Sequence, residues 1–350
     1  MGKGFIGETK GVKKKHSFIL RTALILSIVA AMLVTIIFLT VSSANNLMRI
    51  GKTDVSTVPS NILPNYSVAS FPSADDQTTL QGWFFKTKDP ISTVIVVHDT
   101  GKNRLQFGVD MIDMVETWLD NKYNVFLFDL RHSGNSDGDI SSYGYLEWQD
   151  VLGAVAIVKQ ISVTTDVVLY GIGTGCTACV LAYDALPDTG ISEIELKSYD
   201  KKIAALGFDK SYISGMIFDS PAKSADDYIK PIVRQNEPLG FITQNFVPYA
   251  IKVSSGASNI NLATAIARLP IPILMIYGGH DTYIGADKIT QIINERERIN
   301  SNLTKSKMIS GAGYLEAYAL DRQTYIDSVM DFLNNYFAIN DNAGQGRSSK

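Results

Sequence analysis

Chemistry needs side chains that shuttle protons, attack a substrate or ligate a metal, and this 350-residue sequence places few of them suggestively. Its histidines are His16, His98, His132 and His280, and its cysteines are Cys176 and Cys179. His98 ends the apolar run TVIVVH and is followed by Asp99, His132 follows NVFLFDL, and His280 and Asp281 follow ILMIY. If those runs are strands of one sheet, these residues lie at or just beyond their carboxyl ends, where open α/β sheets bind ligands. A metal bound there is one reading. No His-x-x-x-His or similar close-spaced pair accompanies it, and separate edge positions need not converge, so neither metal nor other cofactor is expected. Cys176-Thr177-Ala178-Cys179 would be a redox pair if a helix N-terminus lowered a thiol pKa. It lacks a thioredoxin-like context, and packing is the simpler role. Thr174 and Cys176 are also the candidates for a displaced nucleophile.

The elements that must position these residues are legible as alternating patterns. Strands are expected at Thr79–Lys86, Thr93–His98, Asn124–Leu130, Asp166–Tyr170, Ser214–Asp219, Ile273–Tyr277 and Lys307–Ser310, with a β-rich entry at Ser67–Ser70. Between them fall helices near Leu105–Asn121, Tyr145–Gln160, Thr174–Ala185, Ile284–Asn300 and Asp321–Phe337. The central runs are almost continuously apolar, as in strands covered on both faces, and the alternation implies a mostly parallel sheet with helices on both faces. Residues 222–268, with helical character at Tyr228–Arg234 and Phe241–Val253, suit a helical lid or a plain structural insertion.

The amino terminus differs in kind. Lys3, Lys10, Lys13, Lys14, Lys15 and Arg21 precede a 20-residue uncharged apolar run, Thr22–Val41, long enough to cross a hydrocarbon core of about 30 Å. Basic flanks stay on the cytoplasmic side, so residues 1–21 are expected inside, 22–41 as the transmembrane anchor and the remainder outside the cell membrane. A cleaved signal peptide at Ser42-Ser43-Ala44 is the competing reading, but signal cores are shorter. Residues 42–64 read as a tether, 65–338 as the folded domain and 339–350 as a polar tail. The chain has 32 basic and 35 acidic residues; beyond residue 21 the counts fall to 26 and 34, a net charge of −8 that makes nucleic acid an unsuitable partner. Two cysteines provide no disulfide framework, so stability must come from a core.

Four ordered motifs resemble one family. Val167-Val168-Leu169-Tyr170 runs into Gly171-Ile172-Gly173-Thr174-Gly175 and then a helix of small residues, like the G-x-S-x-G nucleophile elbow of the α/β hydrolases. Asp129-Leu130-Arg131-His132-Ser133-Gly134-Asn135-Ser136-Asp137-Gly138, with Tyr143-Gly144 and Glu147, resembles the loop after the fourth strand in the serine aminopeptidase-like and esterase-like branch. Pro272 to Asp281 is similar to the strand that delivers the acid, and Gly311-Ala312-Gly313-Tyr314 stands where the family has its histidine. The resemblance covers roughly residues 65–338 and implies an α/β-hydrolase fold.

It also implies a triad that this chain does not complete. Gly173 occupies the nucleophile slot without a side chain, Tyr314 the histidine slot with a phenol of ordinary pKa about 10, and Asp281 the acid slot. The family's chain order is nucleophile, acid, histidine, and no histidine follows Asp281. Asp281 also suits a purely local role bonding nearby backbone. In the oxyanion region, formed by His98, Asp99, Thr100 and Thr174, the family's usual His-Gly is replaced by His98-Asp99, whose carboxylate would repel an oxyanion. The expectation is a membrane-anchored, catalytically degenerate hydrolase whose cleft binds a small molecule, lipid or peptide. An esterase or peptidase using a displaced nucleophile, and an interaction protein without a small-molecule site, are the alternatives.

Overall fold

A computed structural model describes residues 9–256 and 261–338, with side chains from residue 18 onward. The polar tail 339–350 and the first eight residues of the basic segment lie outside the described residues. After helix α1 (Thr9–Met48), the chain builds strands β1 (Tyr66–Pro72), β2 (Thr79–Phe85), β3 (Ser92–Val97) and β4 (Tyr123–Asp129), with helix α2 (Met111–Asp120) joining β3 to β4. Helix α3 (Trp148–Ile161), strand β5 (Val167–Ile172) and helix α4 (Thr174–Ala185) come next. Two one-turn helices, α5 (Glu193–Leu196) and α6 (Lys201–Ala204), lead to β6 (Ile213–Asp219). Helices α7 (Asp226–Asn236), α8 (Gly240–Thr243), α9 (Val247–Ser255) and α10 (Leu262–Arg268) intervene before β7 (Ile273–Gly278). Helix α11 (Ala286–Asn300), strand β8 (Thr304–Ile309) and helices α12 (Ala317–Leu320) and α13 (Arg322–Leu333) complete it.

The eight strands form one sheet in the order β1-β2-β4-β3-β5-β6-β7-β8. The β1–β2 and β2–β4 pairs are antiparallel and the rest are parallel. Alternation along each strand divides the core in two: Ile95, Val97, Phe126, Phe128 and Leu169 pack with α3 and α4 on one face. Val94, Val96, Val125, Leu127 and Val168 pack with α2 and α13 on the other. Both faces are therefore covered, which explains the unbroken apolar runs.

Two segments depart from their expected form. Helix α1 does not stop at the end of its apolar run; it continues to Met48, and Thr40, Ser43, Ala44, Leu47 and Met48 become buried along one stripe. That stripe packs on α9 and α8, and Ser43 Oγ donates to Glu237 Oε2 at 2.6 Å. Residues 49–64, read from their polar composition as a spacer, instead lie against the domain. Lys52 Nζ donates to the Ser136 carbonyl at 2.5 Å and Thr53 Oγ1 to the Gly101 carbonyl at 2.7 Å. Asn103 Nδ2 reaches the carbonyls of Thr53 and Asp54. The segment is docked by the Lys52 and Thr53 side chains and by its own backbone carbonyls.

Candidate functional site

The β5–α4 junction sets the centre of the site. Strand β5 ends at Ile172, and Gly173 turns the chain with φ +54° and ψ −121°, a conformation a side-chain-bearing residue adopts only under strain. Helix α4 then approaches β3 so closely that a Cβ at Gly175 would overlap the Val97 carbonyl oxygen. This is the geometry of a nucleophile elbow, with Gly173 at its tip.

The space a side chain would need is already taken. A Cβ at Gly173 would stand 2.5 Å from Asp99 Oδ1 and 2.5 Å from the Tyr314 hydroxyl. Asp99 extends from the end of β3 into the position of an oxyanion: its Oδ1 accepts the Thr174 backbone N–H at 2.9 Å and the Thr174 hydroxyl at 2.8 Å. In an elbow of this kind the amide after the nucleophile is one oxyanion donor and the loop after β3 supplies the other. Here the loop amides are also engaged, Asp99 N–H on Gln106 Oε1 and Thr100 N–H on Thr174 Oγ1, each at 2.8 Å. Asp99 thus places an internal carboxyl on the Thr174 donor, while the loop amides are taken by Gln106 and Thr174. Burial pushes its carboxyl above the usual range, opposed by the Thr174 bonds.

Tyr314 closes the site from the β8 side. Its hydroxyl donates to Asp99 Oδ2 at 3.4 Å, and its ring stacks on Tyr283 with centroids 4.7 Å apart and lies 6.2 Å from Tyr228. Burial first, then the Asp99 charge, raises the phenol well above its ordinary value, so it serves as a fixed donor and not as a proton shuttle. Asp281 makes its hydrogen bonds elsewhere. Its Oδ1 accepts the backbone N–H groups of Tyr283 and Ile284 at 2.8 and 2.9 Å, which is the local role, while the buried Oδ2 makes no hydrogen bond within 3.5 Å among the described residues. Burial raises this carboxyl too.

The other candidates do not converge. Both nitrogens of His98 are engaged, Nδ1 with the Asp99 carbonyl and Nε2 accepting the Leu130 N–H. The His132 nitrogens face the carbonyls of Gly138 and Ile50. Among the described residues no group of three or more such side chains is placed to hold a metal ion. Cys176 and Cys179 are free and buried; Cys176 Sγ donates to the Gly171 carbonyl at 3.2 Å, and burial raises both thiols, opposite to what redox or nucleophilic use needs. The Thr174 hydroxyl is committed to Asp99 and Thr100. The loop after β4 is architectural: buried Asp129 accepts the Arg104 and Asn135 amides and the Arg104 guanidinium. Buried Glu147 accepts the amides of Ser142, Gly144 and Leu146.

Sequence reasoning missed Tyr228, Tyr283 and Asp219. Asp219, at the end of β6 with its carbonyl accepting the Gly173 N–H at 2.9 Å, is fully buried and accepts Tyr325 and Ser220 hydroxyls. Its carboxyl is pushed up to about 6 by burial, with Asp99 and Asp281 adding to the effect. A carboxylate closing an apolar strand was the available signal.

No family model matches the sequence. It is 23% identical over 264 residues to the uncharacterized protein YqkD of Bacillus subtilis (strain 168), covering 73% of this chain and 75% of that one. Over 169 residues it is 30% identical to the uncharacterized protein YfhR of Escherichia coli O157:H7, covering 46% and 56%. Among solved structures it is similar to the Pyrococcus furiosus esterase Pf2001, with a TM-score of 0.61 at 16% identity over 83% of this chain and 98% of that one. It is also similar to Est1E from Butyrivibrio proteoclasticus, solved with ferulic acid, with a TM-score of 0.56 at 17% identity over 77% and 100%.

Proposed function

We propose that this chain, which has the α/β-hydrolase fold, is a membrane-anchored pseudohydrolase whose remnant cleft binds a ligand, a small molecule, lipid or peptide, or a protein partner without turning it over. The observation that carries the reading is the Asp99 carboxylate on the Thr174 amide, in the space a Gly173 side chain would need. Three losses coincide: no nucleophile at Gly173, no imidazole at Tyr314, and an oxyanion hole filled from within. Loss of one group leaves residual catalysis from the others, whereas loss of nucleophile, base and oxyanion donors together removes what the mechanism uses. One helix, Phe18–Met48, is long and apolar enough to cross a membrane. With the basic residues before it, the reading places the amino terminus in the cytoplasm and the domain outside.

The test is hydrolysis of short-chain aryl esters and aminoacyl amides by the full chain in nanodiscs. Three proteins are compared: the native chain, Gly173→Ser/Tyr314→His, and the same pair with Asp99→Gly. The native chain and the double variant are expected at the background rate, the latter because Asp99 still occupies the oxyanion position, and turnover is expected in the triple variant. Native turnover that disappears on Cys176→Ala or Thr174→Val would overturn the proposal.

A further inference from the structure

The course of α1 fixes the depth of the elements that touch it. Along its apolar run the side chains are exposed until Ile36 and Leu39, which are half-buried, and Thr40, which is buried. With Ser43, Ala44, Leu47 and Met48 these residues make one stripe at three- and four-residue spacing, the stripe of a helix against a single partner surface. The partner surface is α9 with α8. At 1.5 Å per residue, Ile36 lies about 7 Å before the end of the run at Val41. A run of 20 residues just spans the hydrocarbon core, so a surface that covers Ile36 and Leu39 reaches the boundary between acyl chains and headgroups.

The same two helices expose apolar side chains away from α1. Phe241, Tyr249 and Val253 are 66%, 69% and 63% exposed, and Leu239 and Phe246 are exposed as well. Phe246, Tyr249 and Val253 are separated by three and four residues, so they share one face of α9, while Val247 and Ile251 turn into the core. Single exposed apolar residues need no explanation, but an aromatic-rich cluster beside a membrane-spanning helix matches the composition that membrane interfaces select.

We propose that the α8–α9 cap rests on the outer face of the lipid bilayer, with Phe241, Phe246, Tyr249 and Val253 seated among the headgroups beside α1. This inference rests on the reading that α1 spans the membrane. The domain is then held in a fixed orientation by two contacts, the span and the cap.

The full chain is placed in nanodiscs of phosphatidylcholine and phosphatidylglycerol, with one environment-sensitive fluorophore on an introduced cysteine; Cys176 and Cys179 are buried and do not compete. Probes go on Phe241→Cys and Tyr249→Cys, with Ile28→Cys inside the span and Val163→Cys, 82% exposed beyond α3, as references. Nitroxide lipids labelled near the headgroup should quench the 241 and 249 probes and shift their emission to the blue, and should leave the 163 probe unchanged. Quenching at 28 under acyl-chain nitroxides but not at 241 or 249 would overturn the cap contact alone. No quenching at 28 would overturn the anchor reading and this inference with it. Probes at 241 and 249 shielded from iodide but not quenched by any nitroxide lipid would show that protein covers the face, which also overturns it.

Discussion

Asp99, Asp219 and Asp281 bring three carboxylates to one sheet edge, and burial raises all three. Asp219 isolates the cost, because neither oxygen meets a lysine or arginine among the described residues and its partners are the Tyr325 and Ser220 hydroxyls. Below about pH 4 the proton is bound in both the folded and the unfolded chain. As pH rises, the unfolded chain releases it first, from an ordinary value of 3.8, while the folded chain holds it to about 6. Stability is therefore lost between those values, by roughly 3 kcal/mol. Asp219→Asn has no proton to lose, so its urea midpoint should pull ahead of the native one between pH 4 and 7. A difference that stays constant with pH would refute the assignment. The resemblance to the α/β hydrolases is what singled out Gly173, Asp281 and Tyr314, each after a recognisable strand. It could place Asp99 near the oxyanion position but not on the Thr174 amide, since that depends on a side-chain torsion and on the close approach of α4 to β3.

The elbow behaves as one unit made by two elements and a filler. Gly173→Ala would introduce a Cβ both in a strained backbone conformation and against Asp99 and Tyr314. Conformational strain alone costs about 1–3 kcal/mol, and the overlap adds a similar amount. Removing the filler should relieve the Asp99 share of the overlap and leave the strain and the Tyr314 share. A double-mutant cycle of Gly173→Ala with Asp99→Gly is therefore expected to show a favourable coupling of about 1–2 kcal/mol in denaturation, and additive effects would mean that Asp99 does not fill the slot. The elements themselves were legible where apolar runs ended in glycine or polar residues. Helices α2 and α3 start later than their patterns suggested, at Met111 and Trp148; a 3-10 turn at Gly108–Asp110 leads into α2. Before α3, buried Glu147 accepts the amides of Gly144 and Leu146, which holds that stretch as a loop.

At the scale of the whole molecule, the boundary between the apolar helix and the domain is not where hydropathy ends. Composition divides the chain at Val41, because residues 42–64 are polar, and polarity cannot tell a free linker from one whose side chains find partners across the chain. The partners come from distant loops: Gly101, Asn103, Ser136 and Ser141 all bond to residues 48–54. Leu47 and Met48 are 6% exposed and Ala44 2%, and burying a leucine or methionine side chain contributes about 1.5–3 kcal/mol before the entropy of ordering the segment is subtracted. A soluble fragment beginning at Ser42 keeps these contacts, and one beginning at Asn65 loses all of them while retaining every strand. The shorter fragment should fold yet melt lower, with a net loss of roughly 2–3 kcal/mol and a fall in Tm of about 5 °C for a domain of this size. Equal melting temperatures would mean that residues 42–64 dock without holding the domain.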